Sequence, residues 1–250
     1  MLKILLSGAC GNVGRKITGI CKNSEKYKIV CGVDRISSDT DFPVFDSFKN
    51  ADTLSDVIID FSNPSVLDGL LEYAVSNNIP CVLATTGYSE EQLKKIKEAS
   101  KQIPIFFSAN MSLGINLLCS LTKKASEVLG DDFDIEIIEK HHNQKLDAPS
   151  GTALMLANAV NSVNEDKYIY EYDRHSKRRK RPQNEIGIHS VRGGTIVGEH
   201  DVVFAGNDEV ITLSHSAFSK EVFATGALKA AEFILDKQCG LYDMSDILNV

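Results

Sequence analysis

The densest run of chemically capable side chains in the chain is Glu139-Lys140-His141-His142-Asn143-Gln144-Lys145-Leu146-Asp147-Ala148-Pro149-Ser150-Gly151-Thr152. A histidine titrates near neutrality and a lysine is cationic at pH 7, so His141 and Lys145 together can deliver a proton and stabilise developing negative charge. Ser150 has the character of a helix N-cap. Free N–H groups behind it, at Gly151 and Thr152, would form a carboxylate site, and Gly151 would let a ligand come close. The substrate this implies is an anion. A metal held by His141 and His142 is disfavoured, because adjacent histidines point apart and no His-Glu-x-x-His or cysteine cluster supports them. Either histidine alone would read as a loop residue satisfying backbone groups; the cluster as a whole points to catalysis without a metal. His175, His189, His200 and His215 read as structural, although His200 and His215 sit in polar strand-end contexts that a cleft could use.

A second constellation lies near the start of the chain. Gly8-Ala9-Cys10-Gly11-Asn12-Val13-Gly14 falls between an apolar run and a helical pattern, where glycines let backbone N–H groups approach a pyrophosphate. The spacing is Gly-x-x-Gly-x-x-Gly, not the commonest dinucleotide form, and a tight strand-to-helix turn is the alternative. Asp34 follows Gly14 by about 20 residues, where an acid accepts hydrogen bonds from ribose hydroxyls and disfavours a 2′-phosphate. The adjacent Arg35 could instead pair with that phosphate. Ala84-Thr85-Thr86-Gly87 and Ser108-Ala109-Asn110-Met111 each follow an expected strand, on the sheet edge that faces the ligand crevice in open α/β folds.

The elements that must position these groups follow from periodicity. Apolar strands are expected at 2–6, 28–34, 57–61, 79–83 and 103–107, alternating with helices at 13–20, 66–77 and 89–101. Near-continuous apolar strands alternating with helices predict a Rossmann-like, doubly wound parallel sheet. After Asn110 a helix at 113–129 leads to a strand at 133–139, a helix at 152–163 and strands at 186–191, 195–204 and 209–216. This predicts a second, α+β domain containing a mixed sheet. The division expected is a dinucleotide-binding domain at 1–111, with 222–250 returning to it through a helix at 223–237, and a substrate-binding, catalytic and oligomerisation domain at 112–221.

Bulk properties narrow the class. A net charge of -7 argues against general nucleic-acid binding, which needs many Lys or Arg contacts to phosphates. The basic run Lys177-Arg178-Arg179-Lys180-Arg181 reads as a solvated loop, with a phosphate or RNA contact as the alternative. The apolar run after Lys3 stops at Ser7-Gly8, too short for a signal-peptide core, and no stretch approaches the roughly 20 apolar residues of a membrane helix. Six scattered cysteines without a Cys-x-x-Cys pair are expected to be reduced thiols in the cytoplasm.

With these residues in view, the sequence resembles the 4-hydroxy-tetrahydrodipicolinate reductase (dihydrodipicolinate reductase) family of bacterial diaminopimelate and lysine biosynthesis. The resemblance runs through the glycine turn, Ile59-Asp60-Phe61-Ser62, Thr85-Thr86-Gly87, Asn110 to Gly114, Arg192-Gly193-Gly194 and Val197-Gly198-Glu199-His200. It is strongest at His-His-x-x-Lys-x-Asp-Ala-Pro-Ser-Gly-Thr-Ala. It implies hydride transfer from NADH or NADPH to a cyclic dicarboxylate bearing a conjugated imine, with His141 as proton donor and Lys145 assisting and holding a carboxylate. His142, Gly151 and Thr152 would bind substrate. Gly8, Ala9, Cys10, Gly11, Asn12, Val13, Asp34, Arg35, Ala84, Thr85, Thr86, Ser108, Ala109, Asn110 and Met111 would line the cofactor site. A homotetramer joined through the second domain is also implied. Asn12 stands where many relatives have Arg, Ala84 where Gly is usual, Met111 where Phe is frequent and Lys220 where Arg is usual. Losing an Arg from the glycine turn inclines the expectation to NADH, with NADPH tolerated. Other readings are a related two-domain amino-acid or semialdehyde dehydrogenase and a non-catalytic NAD(H) sensor.

Overall fold

Apolar strands with no polar face are stable only when both sides of their sheet are covered, and the first structural unit meets that condition. The computed structural model describes residues 1–36 and 39–248. Its contacts divide the chain into Met1–Leu113 with Lys220–Val250, and Gly114–Ser219. Residues 249–250, the end of the expected returning segment, lie outside the described residues.

In the first unit the chain runs β1 (Leu2–Ser7), α1 (Asn12–Lys22), β2 (Tyr27–Val33), β3 (Val44–Phe45), β4 (Val57–Asp60), α2 (Leu67–Ser76), β5 (Cys81–Leu83), α3 (Glu90–Ala99) and β6 (Pro104–Phe107). The period-two geometry of a strand sends Ile4 and Leu6 into one core and Leu5 into the other. In the second unit follow α4 (Leu113–Leu129), which begins at the last residue of the first, β7 (Asp134–His141), α5 (Gly151–Ser162), β8 (Ile169–Glu171), β9 (Glu185–Arg192), β10 (Gly198–Ala205) and β11 (Val210–Ala217). The chain then returns to the first unit as α6 (Glu221–Ile234), β12 (Gly240–Tyr242) and α7 (Met244–Leu248).

The first sheet has the order β12-β6-β5-β4-β1-β2-β3, with every pairing parallel. Ile17 of α1, Ala227 and Ala231 of α6 and Met244 of α7 cover one face, and Leu70 of α2 and Ile96 of α3 cover the other. Because β1 lies between β2 and β4, successive crossovers leave it in opposite directions. The carboxyl ends of β1 and β4 therefore flank a topological switch point, the usual ligand crevice of such sheets.

The second sheet has the order β11-β10-β7-β9-β8 and is mixed: β10 pairs antiparallel with β7 and β11, while β7–β9 and β8–β9 are parallel. Among the described residues of this unit, helices α4 and α5 cover one face of the sheet. Ile135 and Ile137 of β7 and Val202 and Phe204 of β10 pack there with Leu118 of α4 and Leu156 of α5. Along β7 the same alternation puts Glu139 and His141 on that inner face. The fold is thus a Rossmann-like parallel sheet joined in sequence to an α+β unit.

Several boundaries differ from the sequence expectation. β2 stops at Val33, leaving Asp34 just beyond it, and the expected strand at 195–204 is displaced to Gly198–Ala205. β3, β8, β12 and α7 were not expected, because two to five residues carry too little periodicity to register. The basic run lies outside the helices and strands with residues 177–180 exposed, as expected of a solvated loop, but three of its cations are paired. Lys177 pairs with Glu171, Arg179 lies 3.4 Å from Glu185, and Arg181 lies 2.6 Å from Asp134 and 3.1 Å from Glu136. The acids stand on β7, β8 and β9, 6 residues away for Lys177 and Arg179 and 45 and 47 away for Arg181.

Close packing of α6 depends on small residues. A Cβ on Gly226 would lie 1.7 Å from the carbonyl oxygen of Met111, which is backbone and cannot yield cheaply. Gly226→Ala is expected to destabilise the first unit by on the order of 3 kcal/mol, read as a lower urea midpoint, despite the better helix propensity of alanine. An unchanged midpoint would show that this contact is looser than described.

Candidate active site

The second unit's site begins with a buried carboxylate. Glu139 is fully buried on β7, in register with His200 of β10 on one side and Ser190 of β9 on the other. Arg192, at the end of β9, meets it with two parallel bonds, Nη1 to Oε2 at 2.7 Å and Nη2 to Oε1 at 2.7 Å. The backbone N–H of Ser150 donates to Oε1 at 3.1 Å. His141 Nδ1 lies 2.6 Å from Oε2. Burial alone would raise the Glu139 carboxyl, but hydrogen bonds from Arg192, His141, Ser190 and Ser150 outweigh it and hold the group down at about 2. Glu139 is therefore ionised and accepts the hydrogen on His141 Nδ1, leaving Nε2 for chemistry. Gly198 keeps that nitrogen accessible: a Cβ there would stand 3.1 Å from His141 Nε2.

The loop 142–149 connects this pair to α5. Ser150, the N-cap of α5, accepts the N–H of Ala153 at its Oγ (3.1 Å), and the same oxygen lies within hydrogen-bond distance of His200 Nε2 at 3.0 Å. Burial, then the neighbouring His141 ring, pushes the His200 pKa down to about 4, so that ring is neutral at pH 7. It packs edge-on against His141 with centroids 5.1 Å apart. Lys145 Nζ lies 2.9 Å from Asp147 Oδ1, and the Asp147 main chain is anchored where its carbonyl accepts from Arg192 Nη2 at 2.7 Å. Gly151 and Thr152 open α5. The structure thus brings His141, His142, Lys145, Gly151 and Thr152 onto one strand end, one loop and one helix start. The N–H of Gly151 lies close enough to help hold the Asp147 carboxyl below its usual range, after Lys145.

Glu139 and Arg192 were not singled out as site residues, and His200 was read as structural. The i, i+2 spacing of Glu139 and His141 on a strand was a usable signal, since it places both on one face. Arg192 carried none, because only the parallel pairing of β7 with β9 puts it opposite His141.

In the first unit, Gly8 takes φ +77°, and a Cβ on it would fall 2.3 Å from the carbonyl oxygen of Phe61. A Cβ on Gly14 would fall 2.2 Å from that of Gly8. The turn therefore has to be made of glycine. It feeds α1, whose N-cap Gly11 provides no side-chain cap and whose first turn, starting with Asn12 and Val13, has no acid, leaving N–H groups suited to a phosphate. Asp34 accepts the N–H of Cys10 at 2.9 Å, tying the end of β2 to this turn. Arg35 Nη2 donates to Ser65 Oγ at 2.7 Å. Gly8, Gly11, Asp34, Arg35, Ser62 and Val66 help to line a cavity of about 350 Å³, and these residues fit a dinucleotide's adenosine half. A larger cavity of about 590 Å³ runs beside α1 past Arg15 and the Lys22–Asp41 ion pair, off the strand ends, and carries no convergent chemistry.

Ala84, Thr85 and Thr86 follow β5, and Ser108, Ala109, Asn110 and Met111 follow β6, on the same carboxyl edge but outside the 350 Å³ cavity. Ala9, Ala84 and Met111 have buried side chains within the core. The Thr85 hydroxyl is directed inward to the fully buried Asp60, 2.6 Å away, and it accepts the N–H of Ser62 at 2.8 Å. Burial pushes the Asp60 carboxyl up, against hydroxyl bonds from Ser62, Thr85 and Tyr88. Among the described residues no group of three His, Cys, Asp or Glu side chains is placed to hold a metal, and no helix is long and apolar enough to cross a membrane.

A glycine-turn parallel sheet combined with a separate mixed-sheet unit carrying a carboxylate-anchored histidine defines a two-unit α/β protein of the dinucleotide-fold class. More specifically, the chain belongs to the dihydrodipicolinate reductase family: residues 2–111 match its N-terminal part and residues 114–248 its C-terminal part. It is 54% identical over 248 residues to the 4-hydroxy-tetrahydrodipicolinate reductase of Caldanaerobacter subterraneus subsp. tengcongensis, covering 99% of this chain and 98% of that protein. It is 53% identical over 252 residues to the enzyme of that name from Clostridium tetani, covering 100% and 98%. Among solved structures, the dipicolinate-bound dihydrodipicolinate reductase from Paenisporosarcina sp. TG-14 shares the fold with a TM-score of 0.82 at 24% identity, covering 99% of each chain. An aspartate dehydrogenase from Thermotoga maritima shares it more loosely, with a TM-score of 0.52 at 14% identity over 95% of this chain and 98% of that one.

The Glu139 cluster has a pH signature. Its carboxyl falls from 4.5 to about 2 on folding, so its stabilisation is complete above pH 4.5 and is lost as pH falls towards 2. At about 1.4 kcal/mol per unit this is on the order of 3 kcal/mol. Urea unfolding of wild type and Glu139→Gln between pH 6 and 2 should show that acid loss in the wild type and not in the variant. Identical slopes would remove Glu139 as the source.

Proposed function

We propose that this chain catalyses the NAD(P)H-dependent reduction of 4-hydroxy-tetrahydrodipicolinate, with loss of water, or of the dihydrodipicolinate formed by that loss, to tetrahydrodipicolinate in diaminopimelate and lysine biosynthesis. The observation that carries the reading is the His141–Glu139 pair beside the start of α5, in a chain that matches the family through both units. That match also favours this reaction over a related dehydrogenase or a non-catalytic NAD(H) sensor. The Paenisporosarcina protein binds dipicolinate, and a planar dicarboxylate of that kind suits a site with a cation and helix N–H donors.

When bound, the reduced nicotinamide supplies the hydride. The residues of this chain do the rest. His141, with its ring oriented through Nδ1 by ionised Glu139, delivers the proton from Nε2. Lys145 holds a substrate carboxylate and stabilises negative charge as it develops, and His142, Gly151 and Thr152 complete the substrate contacts. Gly8, Ala9, Cys10, Gly11, Asn12 and Val13 cradle the pyrophosphate, Asp34 and Arg35 meet the adenosine ribose, and the loops 84–86 and 108–111 serve the nicotinamide end.

NADH is the favoured cofactor, with NADPH accepted. Asp34 stands at the ribose edge of the 350 Å³ cavity, Arg35 is engaged by Ser65, and Asn12 supplies no cation to a 2′-phosphate. The uncovered face of the second sheet supports assembly into a homotetramer, and a biosynthetic role fits the cytoplasm.

Oxidation of NADH and NADPH is followed by absorbance while substrate is generated from pyruvate and aspartate semialdehyde by the preceding pathway enzyme. Substrate-dependent oxidation, faster with NADH, is expected; none with either nucleotide from folded protein would overturn the reading. His141→Gln should lower kcat by on the order of 100-fold or more and leave the NADH Kd within about twofold, since the proton donor and the glycine turn belong to different units. Equal loss of both would remove His141 from the donor role.

A further inference from the structure

The ammonium of Lys145, which the reading above gives to a substrate carboxylate, already holds a carboxylate of the chain itself. Asp147 Oδ1 lies 2.9 Å from Lys145 Nζ. The nearby N–H of Gly151 is among the groups that hold the Asp147 carboxyl low. We infer that Asp147 is an internal stand-in for the substrate carboxylate, occupying its place on Lys145 beside the start of α5 until a dicarboxylate displaces it, and thereby setting the affinity of the site.

Three features favour this role over a structural one. First, capping of α5 does not need Asp147, because Ser150 Oγ already accepts the N–H of Ala153. Second, the exposures are unequal: the Lys145 side chain is 21% exposed and that of Asp147 is 56% exposed. The cation is held against the protein while the acid has water to turn into, and an exposed ion pair of this kind is weak enough to exchange. Third, the Asp147 main chain is fixed independently, through its carbonyl on Arg192 Nη2. Side-chain rotation alone can therefore clear the site without rearranging the loop. The carboxyl of Asp147 is held below its usual range, first by Lys145, so near neutral pH it is a competing anion. Glu139, the other acid beside the loop, is neutralised by Arg192 and adds little to that repulsion.

The inference rests on Lys145 and the start of α5 receiving a substrate carboxylate, and the test separates the two ideas. Inhibition by pyridine-2,6-dicarboxylate and the KM for generated substrate are measured at saturating NADH for wild type, Asp147→Asn, Asp147→Ser and Lys145→Met, with thermal midpoints recorded for each. Both Asp147 variants are expected to tighten inhibition and lower KM by about three- to tenfold, while Lys145→Met weakens both by at least as much. Asp147 variants that are unchanged, or that bind more weakly, alongside a weakened Lys145→Met would overturn the stand-in and leave the site reading intact. An unaffected Lys145→Met in an active enzyme would overturn the site reading itself. Asp147→Ser keeps the test open where Asp147→Asn fails to fold.

Discussion

The Glu139 carboxylate has no exposure to water, and a buried ion in that position persists only if its charge is matched and its lone pairs are filled. Arg192 meets both requirements with a parallel two-bond contact, and the remaining acceptor capacity goes to His141 Nδ1 and the N–H of Ser150. One carboxylate thus joins the end of β7, the end of β9 and the start of α5. Removing either charged partner would leave an uncompensated ion inside the unit, a loss on the order of 3–5 kcal/mol. Every other feature of the second unit's site hangs on this contact. The His141 ring is oriented by it, the loop 142–149 is pinned at both ends by Glu139 and Arg192, and His200 is left neutral over the pair.

The first unit solves a different problem with different means. Its sheet ends present backbone, and access to that backbone requires the absence of side chains: Gly8 and Gly14 stand where a Cβ would collide with a carbonyl oxygen. The acid at the end of β4, Asp60, is buried without a cation among its described bonding partners and is satisfied by hydroxyls from Ser62, Thr85 and Tyr88. It fastens the loop after β4 to the loop after β5, which explains why Thr85 turns its hydroxyl away from the crevice. Exposed main-chain groups at the glycine turn of one unit and a carboxylate-oriented histidine in the other suit the proposed reduction, which needs a bound dinucleotide and a proton donor.

How much of this could be read from sequence depends on the range of the interaction. The first unit's strands and helices were legible because Ile4, Leu5 and Leu6, or Val57, Ile58 and Ile59, are apolar without interruption, and the glycine turn declares itself by position. The cluster at 139–152 was legible because it is contiguous. Its logic was not: Arg192 reaches Glu139 across 53 residues, and His200 reaches Ser150 across 50. The basic run was legible as an exposed loop, but the pairing of Arg181 with Glu136 and Asp134, 45 and 47 residues away, was not. β3 and β12 were invisible because edge strands of two or three residues are defined by their neighbours and hardly at all by their own pattern. The same holds for Asp147, whose contacts with Lys145 and Gly151 are local but ambiguous until the loop's path is known.

On the proposed reading, Glu139 acts on the reaction through His141 and not merely on stability. A double-mutant cycle on kcat/KM, with Glu139→Gln, His141→Gln and the double variant, measures that coupling directly at a temperature where all four proteins are folded. Strong non-additivity is predicted, with Glu139→Gln costing on the order of 10-fold or more in the wild-type background and about twofold or less once His141 is gone. Additive losses would contradict the account and make Glu139 a structural residue only.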